Sequence, residues 1–259
     1  MADAKGIWAL RLSWLALALS LGGVATALVA ALGTGSGVWG YSAGLGALRY
    51  ALYAAVAGGV LAAVAFVISR RSGIRTGRMN LLAVAVSALF VTYLGNQIAV
   101  ARSVPAIHDV ATDLDDLPRF AALTVRPDNL DKIPDNGRPE LAAMDPESRW
   151  KALHREAYGD LRPLRLAASP AATVRRVERL ARERGWTVAQ VDARAGTVEA
   201  TVTTLFFRFK DDVVIRVRPD PARPGGSVVD MRSISRVGGS DVGVNAARIR
   251  SFLADLAKA

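Results

Sequence analysis

Three long apolar runs without charge dominate the first hundred residues of this 259-residue chain. They cover about residues 12–32, 50–69 and 81–100, and no Asp, Glu, Lys or Arg interrupts them. Roughly 20 apolar helical residues cross a bilayer core, and lipid forces such runs to be helical because it offers no partners for backbone groups. We predict three transmembrane helices. A cleaved secretory signal is the alternative for the first run, which is longer than the ~7–15 apolar residues of such signals.

Charge divides the chain into two parts. Residues 1–101 carry seven Lys/Arg and one acid, whereas residues 102–259 carry 26 Lys/Arg and 22 acids. We therefore predict a transmembrane domain at 1–101 and an extracytoplasmic domain at 102–259. Much of the net charge of +10 flanks apolar runs, so it is poor evidence for nucleic-acid binding, and we predict none. The chain has no cysteine, which excludes disulfides and thiolate metal sites.

The loops predict the orientation of the helices. Four arginines lie between residues 70 and 78, in the second loop, whereas the first loop at 33–48 has no charge. Because basic loops stay in the cytoplasm, residues 102–259 are predicted to lie on the opposite side of the membrane. This predicts a multi-pass protein of a bacterial inner membrane, embedded in the lipid bilayer, with a cytoplasmic N-terminus and a periplasmic C-terminal domain. No apolar run has a central charge, which disfavours an ion or proton transporter.

The extracytoplasmic part begins without helical periodicity. Residues 104–120 contain prolines and closely spaced acids, which predict an extended or turning segment. Residues 121–165 are rich in Pro, Asp, Asn and Gly, so we predict an irregular arm there, with a short helix near 147–156.

The rest of the chain predicts a helix, four strands and a helix. Ser169 suits an N-cap and Pro170 the first helical position, and apolar residues recur at helical spacing until Gly185. Alternation of apolar and polar residues then predicts strands at 186–192, 197–202, 212–218 and 227–235. A second apolar stripe predicts a closing helix at 241–257. The fold class is therefore α+β, a two-layer domain with an antiparallel sheet and both helices on one face.

Alternation also places polar side chains on the outer face of the predicted sheet. These positions are Glu199, Thr201, Thr203, Asp212, Arg216, Arg218, Asp230, Arg232 and Arg236. Opposite charges on adjacent strands stabilise a sheet by roughly 0.2–1 kcal/mol per pair, so a ladder of structural ion pairs is the simplest prediction. A binding surface is the alternative.

The binding alternative has a specific form. Three arginines of this face, together with the backbone amides of residues 239–242, could bind an anion such as a phosphate or carboxylate group, because a helix N-terminus exposes free N–H groups. These arginines are Arg216, Arg232 and Arg236. Ser240 and Asp241 could instead cap the closing helix, and both roles can hold together.

His108 and the aspartates that follow it raise the question of catalysis. A metal site is disfavoured because the only other histidine is His154 and no paired-histidine motif is present. A Ser-His-Asp hydrolase could combine Ser233 or Ser235 with His108 and Asp109, but no GxSxG motif surrounds either serine. We predict no catalytic residue, metal or cofactor. An envelope hydrolase or lipid-modifying enzyme that uses His108 and neighbouring carboxylates remains the alternative.

A structural role for these aspartates is favoured instead. They are predicted to lie over the arginines of the sheet and to fix the segment that leaves the membrane, with Asp109 paired to Arg232. The residues proposed for this binding site or structural clasp are His108, Asp109, Asp113, Arg216, Asp230, Arg232, Ser233, Ser235, Arg236, Ser240, Asp241 and Asn245.

Four motifs carry a resemblance to a known family. They are IHDVATDLDDLPRF at 107–120, Gly185-Trp186, FRFKDDVVIRV at 207–217 and DMRSISRVGGSDVGVNAARIRSFL at 230–253. Over residues 104–258 the chain resembles the domain of unknown function 1499 family, and membrane-anchored members have a similar layout of N-terminal spans followed by the domain. The order of elements is also similar to helix-grip modules, which mostly bind proteins. We therefore expect a binding or scaffolding module whose partner is an envelope protein or an anionic ligand.

Overall fold

The computed structural model describes residues 2–258, with side chains from residue 6 onward. The chain forms two compact units. The first contains the residues up to Ala99 together with Leu205–Arg208, and the second contains Val100–Thr204 and the residues from Phe209 onward.

The helical unit is built from three long helices, which confirm the three apolar helices predicted at the N-terminus. They are α1 (Ala2–Gly35), α2 (Tyr41–Ser72) and α3 (Gly77–Ser103), whose last residues belong to the second unit. Each is long and apolar enough to cross a membrane, with mean hydropathies of 2.2, 2.3 and 1.7. All three extend beyond the predicted runs. The predictions were shorter because they followed the uninterrupted apolar residues. The more polar residues at both ends of each run are helical as well.

Small residues allow α1 and α2 to approach closely. A Cβ atom at Gly58 would lie 2.6 Å from the backbone nitrogen of Ser20, and one at Gly23 would lie 2.7 Å from the carbonyl oxygen of Ala51. The Ser87 hydroxyl of α3 donates a hydrogen bond of 2.9 Å to that of Ser20. Close backbone packing and hydroxyl hydrogen bonds are typical of helix association in lipid.

The second unit contains a six-stranded antiparallel sheet and four helices among its described residues. Its elements are β1 (Asp109–Ala111), α4 (Pro139–Ala142), α5 (Pro146–Tyr158), β2 (Leu164–Leu166), α6 (Pro170–Glu183), β3 (Thr187–Asp192), β4 (Thr197–Thr203), β5 (Lys210–Pro219), β6 (Ser227–Ser235) and α7 (Val244–Lys258). The strand order is β1-β6-β5-β4-β3, and β2 also pairs with β6. The predicted α+β class and the order α6, four strands, α7 are confirmed.

The predicted irregular arm at 121–165 contains more regular structure than expected. It includes α4, α5 and most of β2, and α5 is longer than the predicted helix because Asp145 caps it by accepting the N–H of Ser148 at 3.0 Å. The short strands β1 and β2 were not predicted. Three residues are too few to show alternation, and these strands exist because both pair with the long strand β6.

Helices α6 and α7 pack on one face of the sheet and bury its core. Val213, Ile215 and Met231 are fully buried there. Trp186 stacks on Phe252 of α7, with ring centroids 4.9 Å apart. The alternating residues of the same strands point to the opposite face, where the charged residues lie.

Candidate functional site

Most charged residues of β4, β5 and β6 lie on one surface of the sheet, which we call the polar face. Strand register brings its members side by side: Thr197, Arg216 and Asp230 lie in one row across β4, β5 and β6, and Glu199, Val214 and Arg232 lie in the next. The polar face comprises Glu199, Thr201, Asp212, Arg216, Arg218, Asp230 and Arg232, with Arg236 directly after β6.

The polar face is not a solvated ladder, because residues 112–130, the cover segment, lie over it. Glu199 is only 1% exposed. Its carboxylate accepts backbone N–H groups of Ala121 at 2.6 Å, Ala122 at 3.1 Å and Leu123 at 2.8 Å. A buried carboxylate is tolerated when such donors surround it. Glu199 therefore fixes the middle of the cover segment.

Asp109 and Arg232 form a buried ion pair under this segment, which we call the clasp. The guanidinium of Arg232 donates to both carboxylate oxygens of Asp109, at 3.0 and 2.7 Å, and the two side chains are 12% and 1% exposed. Asn129 of the cover segment donates to the same carboxylate at 2.6 Å. The indole of Trp150 donates to the Asp109 carbonyl at 2.9 Å. Two-pronged pairs of this kind combine strength with fixed geometry.

A second cluster lies one row along the sheet. The carboxylate of Asp230 is fully buried and receives Arg216 at 3.1 Å and Arg218 at 2.8 Å. Asp116 of the cover segment bridges the same arginines at 3.0 and 3.1 Å, and its hydrogen bond with Arg216 holds its pKa below the ordinary value. Asp113 lies 3.6 Å from Arg218. These contacts join the cover segment to β5 and β6.

Arg236 is also paired with a carboxylate of the sheet. It donates to both carboxylate oxygens of Asp212, each at 2.8 Å, and to the hydroxyl of Thr201 at 3.1 Å. The hydrogen bond with Asp212 raises the pKa of Arg236. Asp212 and Arg216 are separated by four residues along β5, about 13 Å in a strand. The three arginines of the anion hypothesis thus lie on separate carboxylates and do not converge.

The amides of Asp241 and Val242, two of the four proposed for the same anion, have internal partners, and that of Asp241 donates to the Ile107 carbonyl at 3.1 Å. The Ser240 hydroxyl accepts the N–H of Val242 at 3.1 Å, and the Asp241 carboxylate accepts those of Gly243 at 2.9 Å and Asn245 at 2.7 Å. The sequence had suggested that the closing helix begins at residue 241. Because residues 240–243 form this cap, helix α7 begins at Val244 instead. Desolvation raises the pKa of Asp241. The geometry is that of the capping alternative.

A separate polar network lies on the helix side of the sheet. Asn245 of α7 accepts the Ser233 hydroxyl at 2.6 Å and donates to the Ser235 hydroxyl at 3.0 Å. Arg248 donates to Ser233 at 2.9 Å and pairs with Asp211 at 2.5 Å, where the side chains are 8% and 4% exposed. This pair was not predicted from the sequence. The sequence Asp211-Asp212 could have indicated it. Successive strand residues point to opposite faces, so one of these two acids must lie on the helix side of the sheet and needs a partner there.

The two histidines have different surroundings. His154 accepts the backbone N–H of Ala111 at 3.1 Å through Nε2, and desolvation lowers its pKa to about 4, so it is neutral near pH 7. His108 is 5% exposed, with Nδ1 3.5 Å from the Gly239 carbonyl. Its Nε2 is buried and has no hydrogen-bond partner in the part of the chain that the structure describes.

The hydrolase alternative requires a hydrogen-bonded chain of serine, histidine and aspartate. The hydroxyls of Ser233 and Ser235 bond with Asn245, and the Asp109 carboxylate bonds with Arg232 and Asn129. The structure therefore ties these residues into two different networks. Among residues 6–258, no group of three or more His, Asp or Glu side chains is placed to hold a metal ion.

A cavity of about 170 Å³ opens between the cover segment and the end of the polar face. It is lined by Phe120, Thr124, Val125, Arg126, Asp212, Ile234, Ser235 and Arg236. Ligand sites for drug-sized molecules measure ~300–1,000 Å³. The cavity is therefore smaller than such sites.

Comparison with known proteins gives a family for this domain. No curated protein matches the chain. The family described as "Protein of unknown function (DUF1499)" matches residues 109–256, which run from β1 into α7 and make up more than half of the chain. The matched region contains the clasp, the polar face and the network around Asn245. The chain therefore belongs to the DUF1499 family, here with three N-terminal helices that are apolar enough to span a membrane.

Proposed function

We propose that this protein is a multi-pass protein of the bacterial inner membrane whose periplasmic domain binds or scaffolds another envelope protein. The three spanning helices supply the membrane anchor, and the α+β domain supplies a rigid surface. No catalytic step is part of the proposal.

This proposal rests mainly on one observation: the chain's own cover segment binds the charged residues of the polar face. Asp109, Glu199 and Asp230 are each at most 1% exposed, and their carboxylates bind arginines or backbone amides of the same domain. Catalytic groups need access to a substrate, whereas these groups close the domain. The charges therefore support a stable module that acts through its outer surface.

An edge of the sheet offers one such surface. Strand β3 is the last in the strand order, so one side of its backbone has no strand partner among residues 2–258. Thr187 and Ala189 are exposed along it. An exposed edge can accept a strand from a partner, although the irregular register between Val188 and Gln190 reduces the length available for pairing.

Site-specific photocrosslinking in native membranes tests this proposal. A photoreactive residue is placed at Ala189 on β3, and at the exposed Arg175 on the outside of α6 as the matched control. We expect a crosslinked partner of one size from one region of the domain surface, identified by mass spectrometry. A uniform absence of intermolecular adducts over a set of exposed positions on all outer surfaces would contradict the proposal.

A further inference from the structure

The turn between β4 and β5 exposes large apolar side chains at the end of a hairpin. Leu205 is 83% exposed and Phe206 is 55% exposed. Among the described residues, the large apolar side chains that come nearest to Leu205 in exposure are Leu89 at 74%, Val38 at 71% and Leu32 at 70%. Leu89 and Leu32 lie on helices apolar enough to span a membrane, where lipid would cover them, and Val38 lies in the turn between two of these helices. Adjacent apolar side chains that are exposed to this extent in a turn indicate a surface that contacts another molecule or a membrane.

The turn is held in a fixed shape. The N–H of Thr204 donates to the Phe209 carbonyl at 2.8 Å, and the hydroxyl of Thr204 accepts the N–H of Phe209 at 2.9 Å. These bonds close the turn at its base, so that Leu205 and Phe206 lie at its end. Arg208 has a φ of 52°, an uncommon conformation for a long side chain that costs free energy. The turn therefore has a defined, hydrogen-bonded conformation and is not a flexible loop.

The exposed charge around this turn is positive. Arg208 and Lys210 are exposed. The two acids that follow are buried and paired, Asp211 with Arg248 and Asp212 with Arg236. Apolar side chains next to cations suit the boundary of an anionic bilayer, where the rings and alkyl groups enter the acyl region and the cations stay among the headgroups.

We propose that the β4–β5 turn, Leu205–Arg208, is a second membrane contact that inserts into the headgroup boundary of the bilayer spanned by the chain's own helices. The turn falls into the same compact unit as those helices. The proposal is independent of the scaffolding function and of the side of the membrane on which the domain lies. It would restrain the domain at a defined orientation to the lipid surface.

Fluorescence quenching of the full-length protein in lipid nanodiscs tests this contact. The chain has no cysteine, so Leu205→Cys gives a single site for an environment-sensitive fluorophore, and Phe206→Cys gives a second. Ala193→Cys is the matched control, because Ala193 is exposed in the β3–β4 turn at the other end of β4. The nanodiscs contain phosphatidylcholine and phosphatidylglycerol, with a spin-labelled lipid as quencher, and iodide serves as the aqueous quencher.

We expect the fluorophores at 205 and 206 to emit at shorter wavelength than the one at 193. They should be quenched severalfold more by the labelled lipid and severalfold less by iodide. Removal of phosphatidylglycerol, or the double change Arg208→Gln and Lys210→Gln, should shift both ratios towards the control. Iodide quenching equal to that at 193 would overturn the proposal. Protection from both quenchers would also overturn it, because a protein would then cover the turn.

Discussion

Asp109 has contacts with three different parts of the chain: Arg232 of β6, Asn129 of the cover segment and the indole of Trp150 in α5. It is the second residue of an HD pair that the sequence analysis weighed as a metal or catalytic site. Its burial, at 1% exposure, and its pairing with a guanidinium favour a structural role.

Breaking the clasp tests this role. Either Arg232→Gln or Asp109→Asn should lower the free energy of unfolding by about 3–5 kcal/mol, because each leaves a buried charge without its partner. The double variant should lose much less than the sum of the two. Urea unfolding of the domain, followed by tryptophan fluorescence, measures all three losses.

The matched control for the clasp is the pair Arg250 and Asp160, whose side chains are 43% and 57% exposed at a similar distance of 2.6 Å. Arg250→Gln should cost no more than about 1 kcal/mol, as exposed pairs do. Additive losses for Asp109 and Arg232 would show that they act independently and would contradict the clasp.

His154 predicts a pH dependence of stability. Desolvation lowers its pKa to about 4, Asp109 opposes this shift, and Arg155 adds to it. Because the unfolded histidine has a pKa near 6.5, the unfolded state binds a proton between these values and the folded state does not. Stability should therefore fall as pH decreases from about 6.5 to about 4, by roughly 3 kcal/mol in total.

The variant His154→Gln isolates this effect. Glutamine can still accept the N–H of Ala111, but it does not titrate in this range. Melting temperatures measured from pH 7 to pH 4 should decline less steeply in the variant than in the natural chain. Parallel curves would show that His154 is not the group responsible.

At the scale of elements, the sequence predicted what local pattern and capping specify. Helix α6 follows the predicted Ser169 cap, with Ser169 accepting the N–H of Ala172, and it ends two residues before Gly185. The strands β3 to β6 follow from alternation. Strand β1, strand β2 and the cover segment could not be predicted in this way, because their conformation depends on partners such as Glu199 and β6 that are distant in sequence.

The same limit applies to the site. Sequence alternation identified the charged residues of the polar face, and a pairing between Asp109 and Arg232 was expected. It could not show that the cover segment excludes water from Glu199, because no local signal marks the amides of residues 121–123 as its partners. The burial of these charges is a property of the tertiary fold.

Two glycines that end or connect elements provide a matched test. Gly196, in the turn between β3 and β4, has a φ of 72°, and a Cβ atom there would lie 2.2 Å from the Val217 carbonyl oxygen. Gly185, after α6, has a φ of 73° but open space around it. Gly185→Ala should cost only the left-handed conformation, about 1–2 kcal/mol. Gly196→Ala should cost clearly more in urea unfolding, and equal losses would show that the contact with Val217 is relieved without cost.

At the scale of the whole molecule, we expect residues 102–259 to fold without the helices. Their core is formed within the second unit by α6, α7 and the sheet. The isolated domain should melt in one cooperative transition, followed by circular dichroism. Leu205 and Phe206 are the part that would promote aggregation, so the double change to serine should improve solubility. Aggregation of that variant would mean that the domain depends on the membrane or on a partner.

The basic residues of the chain predict its topology in the membrane. Counting the residues near the ends of the helices, six lie on the proposed cytoplasmic side, namely Lys5, Arg11, Arg70, Arg71, Arg75 and Arg78. Only Arg49 and Arg102 lie near the other ends, and the turn at 36–40 between α1 and α2 has no charge. Because short basic loops are retained in the cytoplasm, this asymmetry should orient all three helices.

Reporter fusions measure this orientation directly. Alkaline phosphatase folds to an active enzyme only outside the cytoplasm, so a fusion after Ala259 should be active and a fusion at Gly73 inactive. A fusion at Gly37, in the turn between α1 and α2, should be active and serves as an internal check. Replacing the four arginines between 70 and 78 with glutamine should reduce the contrast, because the determinant of orientation is weakened. Activity at Gly73 together with inactivity after Ala259 would place the DUF1499 domain in the cytoplasm and contradict the proposed periplasmic location.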